Sequence, residues 1–339
     1  MLTCRTFRNN DSRLILDLWS RKVKEFPEFF APLSMDLLEG QVLGNMLFDP
    51  ASLIFAFDGS QEAVGFLHAS FCPDVSGERS DPQTGILFAP VVRQDAANRE
   101  EIFQTLIAAG ENYLISRGAK RWYAGGYANA APFYTGLYGR CNPEGIYEKE
   151  TAVLDAFEKA GYHSFSRSLL FRLELSGWRP PVSRKAHEAH QKYVVRRISD
   201  WSASSWWEAN IYRNFSAAEW NVFAANDRAR VPKPVAGLLI QQMQKNFYTV
   251  RAEADPFLRL ILSYVGVLES HLRVGIASFL CASVFQEIAA AEYRPVVLET
   301  IVPEGDKRLA AFLDSQKFTE TGSVRSFYRS AAKDGPPLE

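Results

Sequence analysis

Val267-Leu268-Glu269-Ser270-His271-Leu272-Arg273-Val274-Gly275-Ile276-Ala277-Ser278-Phe279-Leu280 carries the most chemistry of any stretch in this chain. The apolar run Phe257 to Val267 leads into it and predicts a strand. Ile276, Phe279, Leu280, Val284 and Ile288 then recur at helical spacing and predict one apolar helix face. A short loop joins the two. Gly275 and Ala277 stand at the helix start, where small side chains leave the backbone open to a ligand. The first amides of a helix lack internal partners, and the macrodipole is positive there. Such an end accepts phosphate, and Arg273 adds a charge. Taken alone, one glycine fits an ordinary strand-to-helix turn equally well.

Working outward, Pro295 to Ile301 predicts a strand, Lys307 to Ser315 a helix and Ser323 to Arg329 a final strand. Upstream, Tyr193 to Ile198 reads as a strand, Ser202 to Phe215 as a Trp-rich helix and Val235 to Met243 as a strand. The first half repeats this order. Leu2 to Arg8 is a strand, and Asp11 to Phe26 a helix with Leu14, Ile15, Leu18, Trp19 and Val23 on one face. Leu53 to Phe57, Ala63 to Phe71 and Gly85 to Val92 are strands. A long helix carries Ile102, Leu106, Ile107, Tyr113 and Leu114. Arg121 to Tyr127 is a strand, Thr151 to Ala160 a helix and Ser164 to Leu175 a strand. One order seen twice argues for two diverged copies of an α/β domain; two unrelated α/β domains are the alternative. Ser176 to Val182, with Gly177, Pro180 and Pro181, marks a seam, and polar residues follow it. The expected layout is a domain over 1–176, a linker over 177–192, a second domain over 193–330 and a frayed tail over 331–339.

Composition narrows the function. Hydrophobic residues make up 47% and charged residues 23%, an ordinary balance with material for two cores. The 38 basic residues are matched by 39 acidic ones, so no basic footprint for nucleic acid exists. Cys4, Cys72, Cys141 and Cys281 are scattered without a CxxC pair, which suggests neither a zinc site nor a disulfide framework. His187 and His190 lie in a polar stretch without cysteine or carboxylate partners at ligand spacing, so no metal is expected. Met1 to Arg5 lacks the basic-then-apolar run of a signal peptide, and no apolar run reaches roughly 18 residues. The expectation is a cytoplasmic protein with no membrane partner. No GxGxxG follows an early strand in either half, which speaks against a dinucleotide oxidoreductase.

The opening stretch resembles the acyl-CoA loop of the GNAT (GCN5-related N-acetyltransferase) superfamily, Arg/Gln-x-x-Gly-x-Gly/Ala after a strand. Gly275-Ile276-Ala277 fits its second part, and Val267 fits its strand residue. Leu272 stands where the family has Arg or Gln, and Arg273 follows. Val297 to Ile301, Arg308 to Leu313 and Gln316-Lys317-Phe318 resemble the family's strand, helix and Gly-Phe signature, with Lys317 replacing the glycine. The resemblance covers about Tyr193 to Arg329. In the first half, Asn98 to Phe103 stands where the family has Arg-Gly-x-Gly-Ile-Gly. The glycines are gone, and Glu100 and Glu101 would repel a pyrophosphate. Asn129-Ala130-Ala131-Pro132-Phe133-Tyr134 and Ala160-Gly161-Tyr162 resemble later family elements, with an insertion, Thr135 to Ala152, between them. The tandem layout is similar to bacterial double-GNAT proteins, the group that includes mycothiol synthase.

The resemblance implies a mixed α/β fold and transfer of an acyl group, usually acetyl from acetyl-CoA, to an amine. It implies that Val267, Leu272, Arg273, Val274, Gly275, Ile276, Ala277 and Ser278 bind the cofactor. Tyr134 stands where the family has the acid that protonates the thiolate; a buried core tyrosine is the other reading. At the matching place in the second half stands Leu313, which donates no proton. Glu299 is a candidate general base on the adjacent strand; a structural ion pair with a neighbouring cation is the other reading. A lone His68 on a strand could line a pocket or serve structure. Trp201, Trp206, Trp207, Tyr212, Phe215, Trp220 and Phe223 fit an acceptor pocket, core packing or the face between the two domains. The expected function is an N-acyltransferase with an unidentified amine acceptor. The alternative is a catalytically degenerate pair that binds CoA or acts as a scaffold. The sequence does not name the acceptor, the acyl chain length or the oligomeric state.

Overall fold

The computed structural model describes residues 1–138, 144–198, 201–226, 230–243, 257–292 and 294–331. Cys141 and the tail beyond Ala331 lie outside these residues, as does part of the Thr135 to Ala152 insertion. The chain divides into two compact units. The first comprises Met1–Ser168, Ala203–Asn214 and Gly322–Glu339; the second comprises Leu169–Ser202 and Phe215–Thr321.

In the first unit, strand β1 (Thr3–Thr6) precedes helices α1 (Ser12–Glu25) and α2 (Met35–Leu38). Strands β2 (Leu53–Phe57), β3 (Ala63–Pro73), β4 (Ser80–Leu87) and β5 (Val91–Val92) lead to helix α3 (Arg99–Ser116). Strand β6 (Arg121–Ala124), strand β7 (Ile146–Tyr147), helix α4 (Thr151–Lys159) and strand β8 (His163–Glu174) follow. The order β1-β2-β3-β4-β6 is antiparallel up to β4 and parallel at β4–β6, where Thr84 to Leu87 pair with Arg121 to Ala124. Every residue of β2 is buried, as expected of a strand covered on both faces. Helix α1 buries Ile15, Leu18, Trp19 and Lys22, the spacing of one helix face.

The second unit begins inside β8. Helix α5 (Arg184–Lys192) leads into strand β9 (Tyr193–Ile198). Helix α6 (Trp206–Ile211) belongs to the first unit. Strands β10 (Phe215–Ala224), β11 (Ala236–Met243) and β12 (Leu258–Val267) precede helix α7 (Ile276–Ala291). Strand β13 (Val296–Pro303), helix α8 (Lys307–Ser315) and strand β14 (Thr319–Ser330) complete the chain. The second unit's order runs β9-β10-β11-β12-β13 and then the end of β8. Pairing is antiparallel from β9 to β12 and parallel at β12–β13. Its core packs Ile276, Leu280, Val284 and Phe285 of α7 against Leu238, Leu260 and Leu298 of the strands. From Gly322 onward β14 belongs to the first unit, where Phe327 to Ser330 pair with Ala124 to Arg121.

Three local expectations differ from the structure. Ser183 to Lys192, expected as linker, contains α5, capped by the Ser183 side chain accepting from the Ala186 amide. Ala203 to Asn214, expected in the second domain, packs with the first unit. The Trp207 indole donates to the Asn129 carbonyl at 2.8 Å, and the Tyr212 hydroxyl to Asn129 Oδ1 at 3.1 Å. The end of β14, expected in the second domain, belongs to the first unit from Gly322 onward; in β10 the aromatic Trp220 and Phe223 are buried, as in the core-packing reading. Among the described residues no helix is long and apolar enough to cross a membrane.

Candidate functional site

In the second unit, β12 and β13 pair from Leu258–Val296 to Ile261–Glu299. Beyond that point β12 stays with β11 as far as Val267–Ala236. A register shift near Leu239 and Ile240 sets Leu262 and Tyr264 opposite adjacent residues, so Ser263 is the extra residue of a β-bulge. Bulges turn a strand away from its neighbour. The Thr300 hydroxyl bridges the start of the parting by donating to the Leu262 carbonyl at 2.7 Å.

A cavity of about 680 Å³ adjoins the far end of β12. Its apolar wall includes Val265, Val267, Leu272, Ile276, Leu309 and Phe312. Three helix starts line the rest: Ser183 and Lys185 at α5, Gly275 to Ser278 at α7, and Asp306 and Arg308 at α8. Gly275 caps α7 in the left-handed region, φ 90°, and contributes no side-chain cap. The first amides of this 16-residue helix therefore lack intrahelical partners beside the cavity. Lys185, Arg273 and Arg308 set three cations against Glu269 and Asp306. The second unit's ion pairs among the described residues, Arg184–Glu188, Arg197–Glu287 and Arg259–Glu299, use none of those three. Asp306 is committed to capping α8, accepting from the Leu309 amide at 2.9 Å.

Seven of the eight residues expected to bind cofactor line this cavity: Val267, Leu272, Arg273, Gly275, Ile276, Ala277 and Ser278. Val274 does not; the residue is 46% exposed to solvent. Sequence reading missed Ser183, Lys185, Asp306 and Arg308. Ser183 carries a local signal, a serine opening a helix. Lys185 carries none, because α5 reaches the loop through tertiary packing.

Glu299 does not line the cavity. Its Oε1 accepts from Arg259 Nη1 at 2.7 Å, an ion pair tying β12 to β13. Tyr134 belongs to the first unit and is 1% exposed. It stacks on Trp19 at 5.5 Å, and its hydroxyl lies 3.1 Å from His68 Nδ1. Burial pushes the Tyr134 phenol up, and pushes His68 down to about 3. Phe88 and Phe133 pack on the same pair.

In the first unit, α3 starts from Asn98 at φ 55°, the left-handed turn that Gly275 makes before α7. Asparagine tolerates that region better than other non-glycine residues. Glu100 and Glu101 occupy the first turn, and Glu100 pairs with Lys159 at 2.6 Å. The turn is kept, and two carboxylates occupy the first helical turn where α7 has none. Among the described residues no group of three or more His, Cys, Asp or Glu is placed to hold a metal ion.

No protein-family model matches the chain, and no curated protein matches it. Solved structures do. A tandem GNAT protein from the clavulanic acid biosynthesis pathway superposes with a TM-score of 0.64 at 13% identity, over 99% of this chain and 100% of that one. A GCN5-related N-acetyltransferase from Sphaerobacter thermophilus gives 0.61 at 12% identity, over 97% and 95%. A GCN5-related glucosamine N-acetyltransferase region of a fungal multi-domain GH3 β-N-acetylglucosaminidase gives 0.65 at 15%, over 97% of this chain and 38% of that one. Likeness at such identities speaks for the fold alone. Two α/β units, each with a parallel strand pair beside a long helix that starts from a left-handed residue, give this chain the fold of the tandem GNAT proteins.

Proposed function

We propose that this protein is an N-acyltransferase whose second unit binds an acyl-CoA, acetyl-CoA in the simplest case, and whose acceptor is an amine. The observation that carries the reading is the cavity where β12 leaves β13, walled by the start of α7. Its residues fit the group. The amides of Ile276 to Ser278, with Arg273, Lys185 and Arg308, would hold the phosphates. Val265, Val267, Leu309 and Phe312 would flank the pantetheine arm. An acyl-CoA held there supplies the thioester. Past Ile261 the ladder between β12 and β13 ends, and backbone amides freed in this way are donors for a thioester carbonyl. Of the side chains at the cavity, Glu269, His271 and the helix-capping Asp306 are able to take a proton from the amine. Glu299, paired with Arg259 at the last joined residues, acts in this reading as a positioning residue that fixes where the strands part.

A second reading, CoA binding without transfer, rests on one observation: Glu299 does not line the cavity and is held by Arg259. One assay separates the two. The full-length protein is incubated with acetyl-CoA and a panel of primary amines, and release of free thiol is followed. Amine-dependent release supports acyl transfer. CoA binding without release for any amine supports the second reading, and absence of CoA binding contradicts both.

A further inference from the structure

In the first unit, Gln41 is 6% exposed, yet neither its side-chain oxygen nor its nitrogen has a hydrogen-bond partner. The side-chain nitrogens of Asn210 and Asn214 are likewise buried and unpartnered. All three line one small cavity, with Arg213 and the ring of Tyr134 beside them. Asn45 also lines it but is satisfied, donating to the Pro132 carbonyl at 3.1 Å and accepting from the Leu47 amide at 3.0 Å. Arg213 donates to the Gly40 carbonyl and, at 3.4 Å, to Asn210 Oδ1. Burial lowers its pKa. Among the described residues no acidic side chain lines the cavity.

Partly buried charges and buried amide groups without partners are costly to leave uncompensated. Here the cost is concentrated: three unpartnered amide nitrogens and a guanidinium, all donors, belong to residues lining one cavity, with one free amide oxygen among them. The free volume of about 10 Å³ admits a single oxygen-sized atom. A water molecule there would bring two protons into a donor-rich site and leave the guanidinium charge unmatched. A carboxylate oxygen brings lone pairs and a negative charge, and guanidinium pairs with carboxylate in a matched geometry.

We propose that Gln41, Asn210, Arg213 and Asn214 form a binding site for a small carboxylate anion, one oxygen of which enters the cavity while its partner oxygen faces Arg213. The site lies wholly within the first unit and stands independently of the acyltransferase reading.

Formate is the smallest probe, and formamide is its neutral match. Each is titrated into the full-length protein at constant ionic strength, and thermal unfolding is followed. The site predicts that formate raises Tm along a saturating curve and that formamide does not. Arg213→Gln and Gln41→Leu should each move the midpoint of that curve by about tenfold or more, the loss expected for one charge-assisted bond. Arg213→Lys, which keeps the charge, should retain part of the response. Equal behaviour of formate and formamide in the wild type would overturn the proposal and leave a water site. A wild-type response to formate in both Arg213→Gln and Gln41→Leu would overturn it as well.

Discussion

Gly275 is pressed against the backbone of Lys185 and Ala186: a methyl group on its α carbon would meet the Lys185 carbonyl and sit 2.6 Å from the Ala186 nitrogen. The glycine is thus required twice, for its left-handed φ of 90° and for the approach of α5. Gly275→Ala should therefore lower unfolding free energy by roughly 2–4 kcal/mol, combining backbone strain with overpacking. Gly305→Ala, in open space without positive φ, should stay within about 0.5 kcal/mol. Urea denaturation of the two variants checks this. Equal stabilities would show that α5 does not hold the loop.

The His68–Tyr134 pair predicts a pH dependence. His68 is neutral in the folded protein to about pH 3, while in the unfolded chain it titrates near its ordinary 6.5. Between these values the unfolded state binds a proton that the folded state refuses. Stability is therefore complete above pH 6.5 and falls as pH drops, by up to about 1.4 kcal/mol per unit from this group. His68→Phe should remove that part of the slope. Tyr134→Phe should cost about 1–3 kcal/mol by stripping the buried imidazole of its partner. A wild-type and His68→Phe stability profile of the same slope would contradict the assignment.

Lys22 and Glu150 form an ion pair at 2.5 Å with both side chains buried. Burial raises the Glu150 pKa, and the Lys22 charge opposes that rise. Lys22→Met leaves a buried carboxylate alone and should cost about 3–5 kcal/mol. The double variant Lys22→Met with Glu150→Leu should recover much of the loss, as chemical denaturation would show. An additive double variant would mean the charges act separately.

Glu299 makes its ion pair with Arg259 at 2.7 Å and stands away from the cavity lining. Glu299→Gln should cost roughly 1–3 kcal/mol of stability and leave CoA affinity within about twofold. Calorimetry and denaturation read both. A variant with full stability and CoA affinity but abolished turnover would make Glu299 the general base.

Much of this is legible in the sequence. Tyr193 to Ile198 and Lys307 to Ser315 form the expected strand and helix, because periodicity and end signals agree there. Strand β4 begins earlier than the expected Gly85, at Ser80, because Asp81-Pro82 reads as a turn. Helix α5 was hidden by polar composition, since only Ala189 of its nine residues is buried. The loop from Leu272 to Ser278 was readable because a left-handed glycine before an apolar helix is a local signal. Lys185 and Arg308 were not, since they reach the cavity from segments far along the chain. The motif at Tyr134 was readable too, but its burial depends on Trp19, more than a hundred residues earlier.

Titration of CoA into the wild type and Ala277→Glu tests the central claim most directly. Ala277 lines the cavity at the second position of α7, where a glutamate suits the helix dipole and repels phosphate. The account predicts saturable, salt-weakened CoA binding to the wild type, and affinity reduced about tenfold or more in Ala277→Glu at unchanged Tm. Absence of binding at millimolar CoA, or equal binding by the two proteins, would contradict it.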